Sequence, residues 1–574
     1  MSENHQDKEK RPLNAPKKGK TAPGRPGKPF GQRKSVGGKP AGERKPFGRP
    51  AAEGGKPAGE RKPFGRPAAE GGRPAGERKP FGRPAAEGGR PAGERKPFGP
   101  GRHEGGRPGV LGRKGPFGRP APKKAPEMEG LAARRAALKV LREVTEEGAY
   151  ASLSLDRALT GSGMSGVDRR LVSRLVYDTL DRLIWLDHML SQVMAREDTD
   201  IKLRNILRLG ACQILLEDRI PESAATNTCV QLCVELGMEG LKGVCNGILR
   251  NLVRKKEELT LPDPETEPDK AFAVRHSVPE WLGRRLRADW GEEKAGRLAS
   301  FRTEEAVTIR RNLLKTTDAE MDALLGKKIW GRSPSPLPDA RRITGAMDLA
   351  RDADFLAGRF SIQSESSMMA CLAMDVRRGM QVLDCCAAPG GKTCYLAEIM
   401  GDTGRIQAWD IHPHRVALIQ AQAKRLGLEN IRPIVRDATK GKEDLEGRMD
   451  AVLLDAPCSG LGVMASKPDI KLRVTEEGLQ ELIETQRRLL DTAATFVKPG
   501  GVLVYSTCSI LRDENENQIR AFLERRPDFE TESLPKTIPE AFRRHEGVGL
   551  QLTEEEDGVE GFYICRMRRK EMTE

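Results

Sequence analysis

Cys458 and Cys508 each follow closely on a short apolar run. The first lies in Asp455-Ala456-Pro457-Cys458-Ser459-Gly460, after the run 451–454. The second lies in Tyr505-Ser506-Thr507-Cys508-Ser509, at the end of the run 501–505. If these runs are neighbouring strands, both thiols face one crevice. A lone buried cysteine is ordinarily an inert small hydrophobe. A metal pair is disfavoured, because neither a C-x-x-C spacing nor a nearby His supplies further ligands. Free thiols in a reducing compartment argue against a redox disulfide. The reading that remains is a nucleophile, which needs a depressed pKa or a partner that accepts charge.

A second cluster is the turn Asp384-Cys385-Cys386-Ala387-Ala388-Pro389-Gly390-Gly391-Lys392-Thr393, which follows the apolar run 381–383. Glycines between a strand and a helix let a ligand approach the backbone closely, and the helix N-terminus favours an anionic or polar group. A nucleotide P-loop would need G-x-x-x-x-G-K-[ST]. Gly391-Lys392-Thr393 fit, but Cys386 occupies the first glycine position, and Pro389 removes a backbone donor. The competing ligand is a nucleoside. Asp410 ends the next run about 20 residues on, as ribose recognition requires, and Asp437 follows the third run, where it can meet an adenine amino group. Each acid taken singly is equally well a cap or turn residue. Three such positions at successive strand ends favour the nucleoside.

The elements that must position these residues are legible as alternation. Apolar runs at 381–383, 405–409, 431–435, 451–454 and 501–505 are separated by helical patterns such as 479–496, in which Leu479, Leu482, Ile483, Gln486, Leu490 and Ala493 share a side. Gly500 and Gly501 are expected to stop that helix. Such alternation predicts a doubly wound, mostly parallel sheet over 360–574, with ligands beyond the carboxyl ends of the strands. Residues 128–260 have helical periodicity, for example Val172, Leu175, Val176 and Leu183, and predict six or seven helices with no strand. A Pro- and acid-rich linker, Leu261 to Lys270, opens a mixed stretch to 359, read as a small α+β module. There 308–314 is a candidate strand and WLGRRLRADWG a helix.

The 574 residues carry a net charge of +15, unevenly placed. Residues 1–125 hold 32 Lys and Arg against 11 Asp and Glu, so the remainder is net acidic and a uniformly basic nucleic-acid coat is excluded. The same stretch holds 27 Gly, 21 Pro and six Phe as its only aromatics. It cannot bury enough apolar surface to offset chain entropy, which predicts a disordered tail over 1–127. The 17-residue repeat KPAGERKPFGRPAAEGG within it suits a flexible tether, or an RNA arm whose Phe47, Phe64 and Phe81 stack on bases. No apolar run is long enough to span a bilayer. The irregularly spaced cysteines and the absence of an apolar leader suggest a cytoplasmic protein.

The segments DCCAAPGGKT, DAPCSG and YSTCS together make the chain from Met128 onward resemble the Sun family of RNA cytosine methyltransferases. The helical region resembles the NusB-like RNA-binding domain found in that family. Arg311-Asn312-Leu313-Leu314-Lys315 and Ile362-Gln363-Ser364-Glu365-Ser366-Ser367 resemble its lead-in segments. The resemblance implies a Rossmann-like catalytic domain forming 5-methylcytosine in small-subunit (16S) ribosomal RNA, with tRNA as the alternative substrate. A non-catalytic RNA-binding assembly factor is the rival class. It implies Cys508 as nucleophile, Cys458 as the thiol that assists release, and Asp455 beside the reacting base. S-adenosyl-L-methionine would be held by Cys386, Ala387, Ala388, Pro389, Gly390, Gly391, Lys392, Asp410, Asp437 and Asp455. Ribosomal RNA is the expected partner of a monomer, with no metal and no membrane. Lys467-Pro468-Asp469-Ile470-Lys471 matches the family's substrate-side segment, with Lys467 where many relatives have His and Leu461 where Thr or Ser is common.

Overall fold

A computed structural model describes residues 128–571 apart from 197, 304–305, 346–348 and 544–546. The glycine-rich repeats lie outside the described residues. Seven α-helices span Leu131–Glu147 to Lys242–Lys255. Their periodic apolar residues, among them Leu138, Leu141, Val172, Leu175, Val176, Leu207 and Leu249, form one core. Most of this domain's stability comes from that shared face, because isolated helices of this length are marginal in water.

The mixed stretch that follows has two parts. Helices Pro268–His276, Glu280–Trp290 and Glu292–Ser300 come first. They bury Phe272, Leu282, Leu286 and Leu298 against Leu461, Met464, Leu479 and Ile510 of the catalytic region. Four strands follow: β1 (Ala306–Arg311), β2 (Gly331–Ser333), β3 (Ala340–Thr344) and β4 (Phe360–Ile362). They form an antiparallel sheet in the order β2-β3-β1-β4. Its last strand reaches Ile362, beyond 359, because Phe360 and Ile362 pair with Arg311 and Ile309.

The catalytic sheet is built from β5 (Gln381–Asp384), β6 (Arg405–Asp410), β7 (Ile431–Val435), β8 (Met449–Asp455), β9 (Val497–Thr507), β10 (Phe529–Thr531), β11 (Leu550–Leu552) and β12 (Phe562–Arg569). The order is β10-β12-β9-β8-β5-β6-β7, with β11 on β12. Strands β5 to β9 run parallel, and β10 to β12 add antiparallel partners at one edge. Central strands buried on both faces read as continuous apolar runs, as Ala451–Leu454 of β8 and Val502–Tyr505 of β9 do. The amphipathic helix Glu476–Phe496 starts at Thr475, whose hydroxyl accepts from the Gly478 N–H at 3.0 Å. It ends at Phe496, where the helical pattern of the sequence ends, ahead of Gly500 and Gly501. Val497 already pairs with Met449 of β8, and Pro499 disfavours helical backbone at the residue before it.

One fully buried ion pair locks the small sheet to the catalytic domain. Arg310 of β1 donates to Glu398 at 2.5 and 3.1 Å, and both side chains have no exposed surface. Glu398 also accepts the Leu313 N–H at 3.0 Å, Arg310 donates to Gln363 at 2.9 Å, and its guanidinium lies 4.3 Å from the Tyr395 ring centre. Glu398 and Tyr395 belong to helix Gly391–Ile399, the helix behind the glycine-rich turn. Among the described residues no helix is long and apolar enough to cross a membrane. Because removing one partner strands the other charge, Glu398→Ala should cost about 3–5 kcal/mol of unfolding free energy. The double change Arg310→Met, Glu398→Leu should cost clearly less. Urea titrations of the three proteins read both values.

Candidate active site

The parallel order β7-β6-β5-β8-β9 brings the ends of five strands into one row. Along it stand Asp437, Asp410, the 385–391 turn, Asp455 and Cys508. Gly390 has φ +105°, and a Cβ there would come within 3.2 Å of the Ile419 Cα, so only glycine fits this turn. A Cβ on Gly391 would meet nothing within 4 Å, so the first turn of the helix borders open space. Asp384 lies beneath the turn, accepting from the Thr393 hydroxyl at 2.6 Å. Burial raises its carboxyl to about 7. Its Oδ1 has no hydrogen-bond partner. Asp410 is buried. One oxygen accepts the His412 N–H at 3.0 Å and the other lies 3.4 Å from Arg415. Asp437 bends back on its own turn, accepting from the Thr439 hydroxyl at 2.6 Å and the Thr439 N–H at 3.0 Å. The Thr439 hydroxyl is the chief reason its carboxyl lies below the usual range.

The two thiols meet at the ends of β8 and β9, with Cys458 Sγ 3.3 Å from Cys508 Sγ. Both side chains are half-buried rather than sealed in the core. Cys508 lies below the ordinary thiol value because the Cys458 S–H donates to it, with Lys392 and Lys467 also favouring its anion. Cys458 is pushed well above that value by the same hydrogen bond, by burial and by nearby negative charge. The pair is therefore asymmetric, with Cys508 the thiol that gives up its proton more readily and Cys458 the one that keeps it. Beside them Lys392 Nζ lies 2.8 Å from Asp455 Oδ2, and the Ser506 hydroxyl donates to Asp455 Oδ1 at 2.9 Å. Burial works against the Lys392 charge, but Asp455 outweighs it and holds the ammonium above its ordinary value.

Glu514, which sequence reasoning did not single out, ties the two thiol loops together. It has no exposed surface. It accepts the Ser459 N–H at 2.8 Å, the Ser459 hydroxyl, the Ser509 hydroxyl and Gln486 Nε2 at 3.0 Å. Ser459 and Ser509 are the residues immediately after the two cysteines. Asn515 continues the clamp, accepting from the Thr507 hydroxyl and donating to the Ser509 carbonyl at 2.9 Å. Gly462 closes it, because its N–H donates to the Cys508 carbonyl at 2.9 Å and a Cβ there would lie 2.8 Å from that oxygen. The available signal was a Ser after each cysteine and an acid shortly after the second, which cannot by itself reveal a shared contact. The 467–471 segment points away from the thiols in part. Asp469 accepts the Ala151 N–H at 3.1 Å, and Lys471 pairs with Asp181 at 2.9 Å, both partners lying in the helical domain.

A glycine-bearing turn after the first parallel strand, with acids at the ends of the strands beside it, forms a nucleoside-binding crevice of the kind S-adenosylmethionine-dependent methyltransferases use. The donor set fits that cofactor, with open space at Gly391 and a buried carboxylate at Asp410. Residues 371–568 match the family described as 16S rRNA methyltransferase RsmB/F, and residues 131–254 match the NusB family. The chain is 35% identical over 449 residues to the Bacillus subtilis (strain 168) protein named "Probable ribosomal RNA small subunit methyltransferase B", spanning 77% of this chain and all of that one. It is 31% identical over 437 residues to "Ribosomal RNA small subunit methyltransferase B" of Shewanella oneidensis, spanning 76% and 98%. The crystal structure of PH0851 superposes with a TM-score of 0.67 at 26% identity, over 76% of this chain and 99% of that one. The chain belongs to the RsmB/F family of rRNA methyltransferases and carries a NusB-like helical domain ahead of the catalytic one.

The thiol asymmetry has a measurable sign. A thiol whose pKa is depressed stays reactive at lower pH and loses reactivity only as pH falls through that depressed value. Iodoacetamide should alkylate Cys508 below the ordinary thiol midpoint of about 8.5. In Cys458→Ala the midpoint should move up, read by mass-spectrometric alkylation rates against pH. An unmoved profile would show that Cys458 does not stabilise the thiolate.

Proposed function

We propose that the protein forms 5-methylcytosine in small-subunit ribosomal RNA through a covalent adduct on Cys508. The observation that carries this reading is the pair of thiols 3.3 Å apart at the row of strand ends, with Lys392 and Asp455 beside it. Carbon 5 of cytosine is a poor nucleophile. Attack of the Cys508 sulfur on carbon 6 forms an S–C6 bond and moves the ring π electrons toward carbon 5 and N3. S-adenosylmethionine, when bound, supplies the electrophilic methyl group that carbon 5 takes up.

The chain's own groups support the charge changes. Lys392, kept cationic by Asp455, gives the ring a donor where negative charge builds, so Asp455 acts through its partner rather than as a free acid. A water molecule in the crevice then takes the carbon 5 proton, the C–H electron pair restores the C5–C6 double bond, and the S–C6 bond breaks with its pair going to sulfur. Cys458, protonated and 3.3 Å away, donates to the departing sulfur and eases that step. Asp410 and the 386–391 turn hold the cofactor, with Asp437 at its adenine end. The target base must leave its stack, at a cost of a few kcal/mol that is smallest in unpaired loops. That cost favours an RNA substrate presented with exposed single-stranded segments.

The test is methyl transfer to 16S rRNA and to tRNA with the purified full chain. Cys508→Ala should abolish transfer to 16S rRNA while RNA binding persists, and retained turnover would overturn the nucleophile role. Cys458→Ser should accumulate an RNA–protein adduct that survives denaturing gels, and a clean gel would overturn the release role. Mapping of 5-methylcytosine to tRNA alone would replace the rRNA assignment.

A further inference from the structure

Tyr150 breaks a local rule. It occupies the N-cap of helix Ala151–Leu159, yet its side chain makes no capping bond. Ser, Thr, Asp or Asn would stabilise that helix end, by about 1 kcal/mol relative to a residue that cannot cap. The ring is instead 55% exposed. The helix end is served from elsewhere, since the Ala151 N–H donates to Asp469 of the catalytic domain. A residue that forgoes its local role and displays an aromatic ring to solvent points to a contact outside the chain.

Its surroundings say what kind. Tyr150 lines a groove of about 390 Å³ that runs between the helical and catalytic domains and ends at Cys458, Ser459 and Gly460. Ile470 and Val474 form part of its wall. Arg473 completes it, with the guanidinium 3.9 Å from the Tyr150 ring centre and a hydrogen bond to the Gly148 carbonyl. The groove reaches Cys458 but is not lined by Cys508, Lys392 or Asp455. A group seated there is next to the reacting position without occupying it. An exposed ring backed by a held guanidinium, over an apolar floor, is the surface on which an unpaired nucleobase stacks while the cation meets its backbone.

We propose that this groove is a second base subsite, in which a nucleotide neighbouring the target cytosine on the same RNA strand stacks on Tyr150 with Arg473 beside it. The inference rests on the RNA-methyltransferase reading above and adds the residues that receive the flanking base. It also gives the helical domain a direct part in presenting the substrate, because Tyr150 comes from that domain and Arg473 from the catalytic one.

The test measures binding, so it stands whether or not methyl transfer is seen. The full chain is titrated with a fluorescently labelled single-stranded RNA carrying one cytosine, and with the same RNA made abasic at each position flanking it. The unaltered protein should lose about ten- to hundredfold in affinity at one flanking position. Tyr150→Ala should lose a similar factor on the intact RNA and show no further loss on that abasic RNA. Tyr150→Trp should bind like the unaltered protein. Equal affinity for intact and abasic RNA in the unaltered protein would overturn the subsite without any variant. Losses that multiply between Tyr150→Ala and the abasic RNA would show that the base lies elsewhere.

Discussion

A carboxylate that touches neither sulfur decides where both sulfurs sit. The Cys458 and Cys508 loops leave adjacent parallel strands, and nothing in strand pairing fixes loops beyond the last rung. Glu514 supplies the missing constraint by accepting from the residue after each cysteine. Its hydrogen-bond donors are N–H and hydroxyl groups without charge. A buried anion held in this way is costly to leave partly satisfied, since each charge-assisted bond is worth about 1.5–3 kcal/mol and its loss strands a charge. The clamp therefore resists any displacement of one loop against the other, which is what a 3.3 Å sulfur–sulfur distance demands. Its charge has a second effect. It helps keep the proton on Cys458, so the same group that sets the distance also sharpens the difference between the two thiols.

The other side of the crevice solves the opposite electrostatic problem. Lys392 follows the glycine-rich turn, where burial alone would drive it toward neutrality. Asp455 at the end of β8 keeps it charged, and Ser506 of β9 satisfies the second carboxylate oxygen. The ion pair thus spans three elements, and each contributes the residue type its position allows. Behind it, the sealed Arg310–Glu398 pair fixes helix Gly391–Ile399 to the small sheet, so the helix carrying Lys392 is held from both ends. Preorganisation at the reacting face thereby depends on a contact whose residues never reach the substrate.

The strand ends were legible because period and type agree there. Buried parallel strands read as apolar runs, and the residues after each run are where a doubly wound sheet presents chemistry, so Cys458, Cys508 and Asp410 stood out by position, while Asp455 was added by the family resemblance. Residues whose meaning lies in a long-range contact did not. Glu514 looks like any acid before a surface helix, and Lys471 looks like a solvated lysine, yet both are buried. Asp437 shows the reverse. Its position suggested an adenine contact, and the structure adds a local role that the sequence did not show, since one of its oxygens also accepts from Thr439 within its own turn.

The docking of the helical domain follows from the same logic of buried charge. Asp181 lies between Lys471 and Arg302; the Lys471 and Asp181 side chains are buried while Arg302 reaches solvent, so this domain contact has a buried centre rather than being a surface salt bridge. Surface pairs contribute little and reorient freely, whereas a buried pair tolerates few geometries. The segment that carries Lys471 also carries Asp469 and Arg473, and it leads back to Gly460 and Cys458. Any tilt of the helical domain would have to pull on the loop that holds a thiol already clamped by Glu514. The two clamps act in series, one between domains and one between thiol loops.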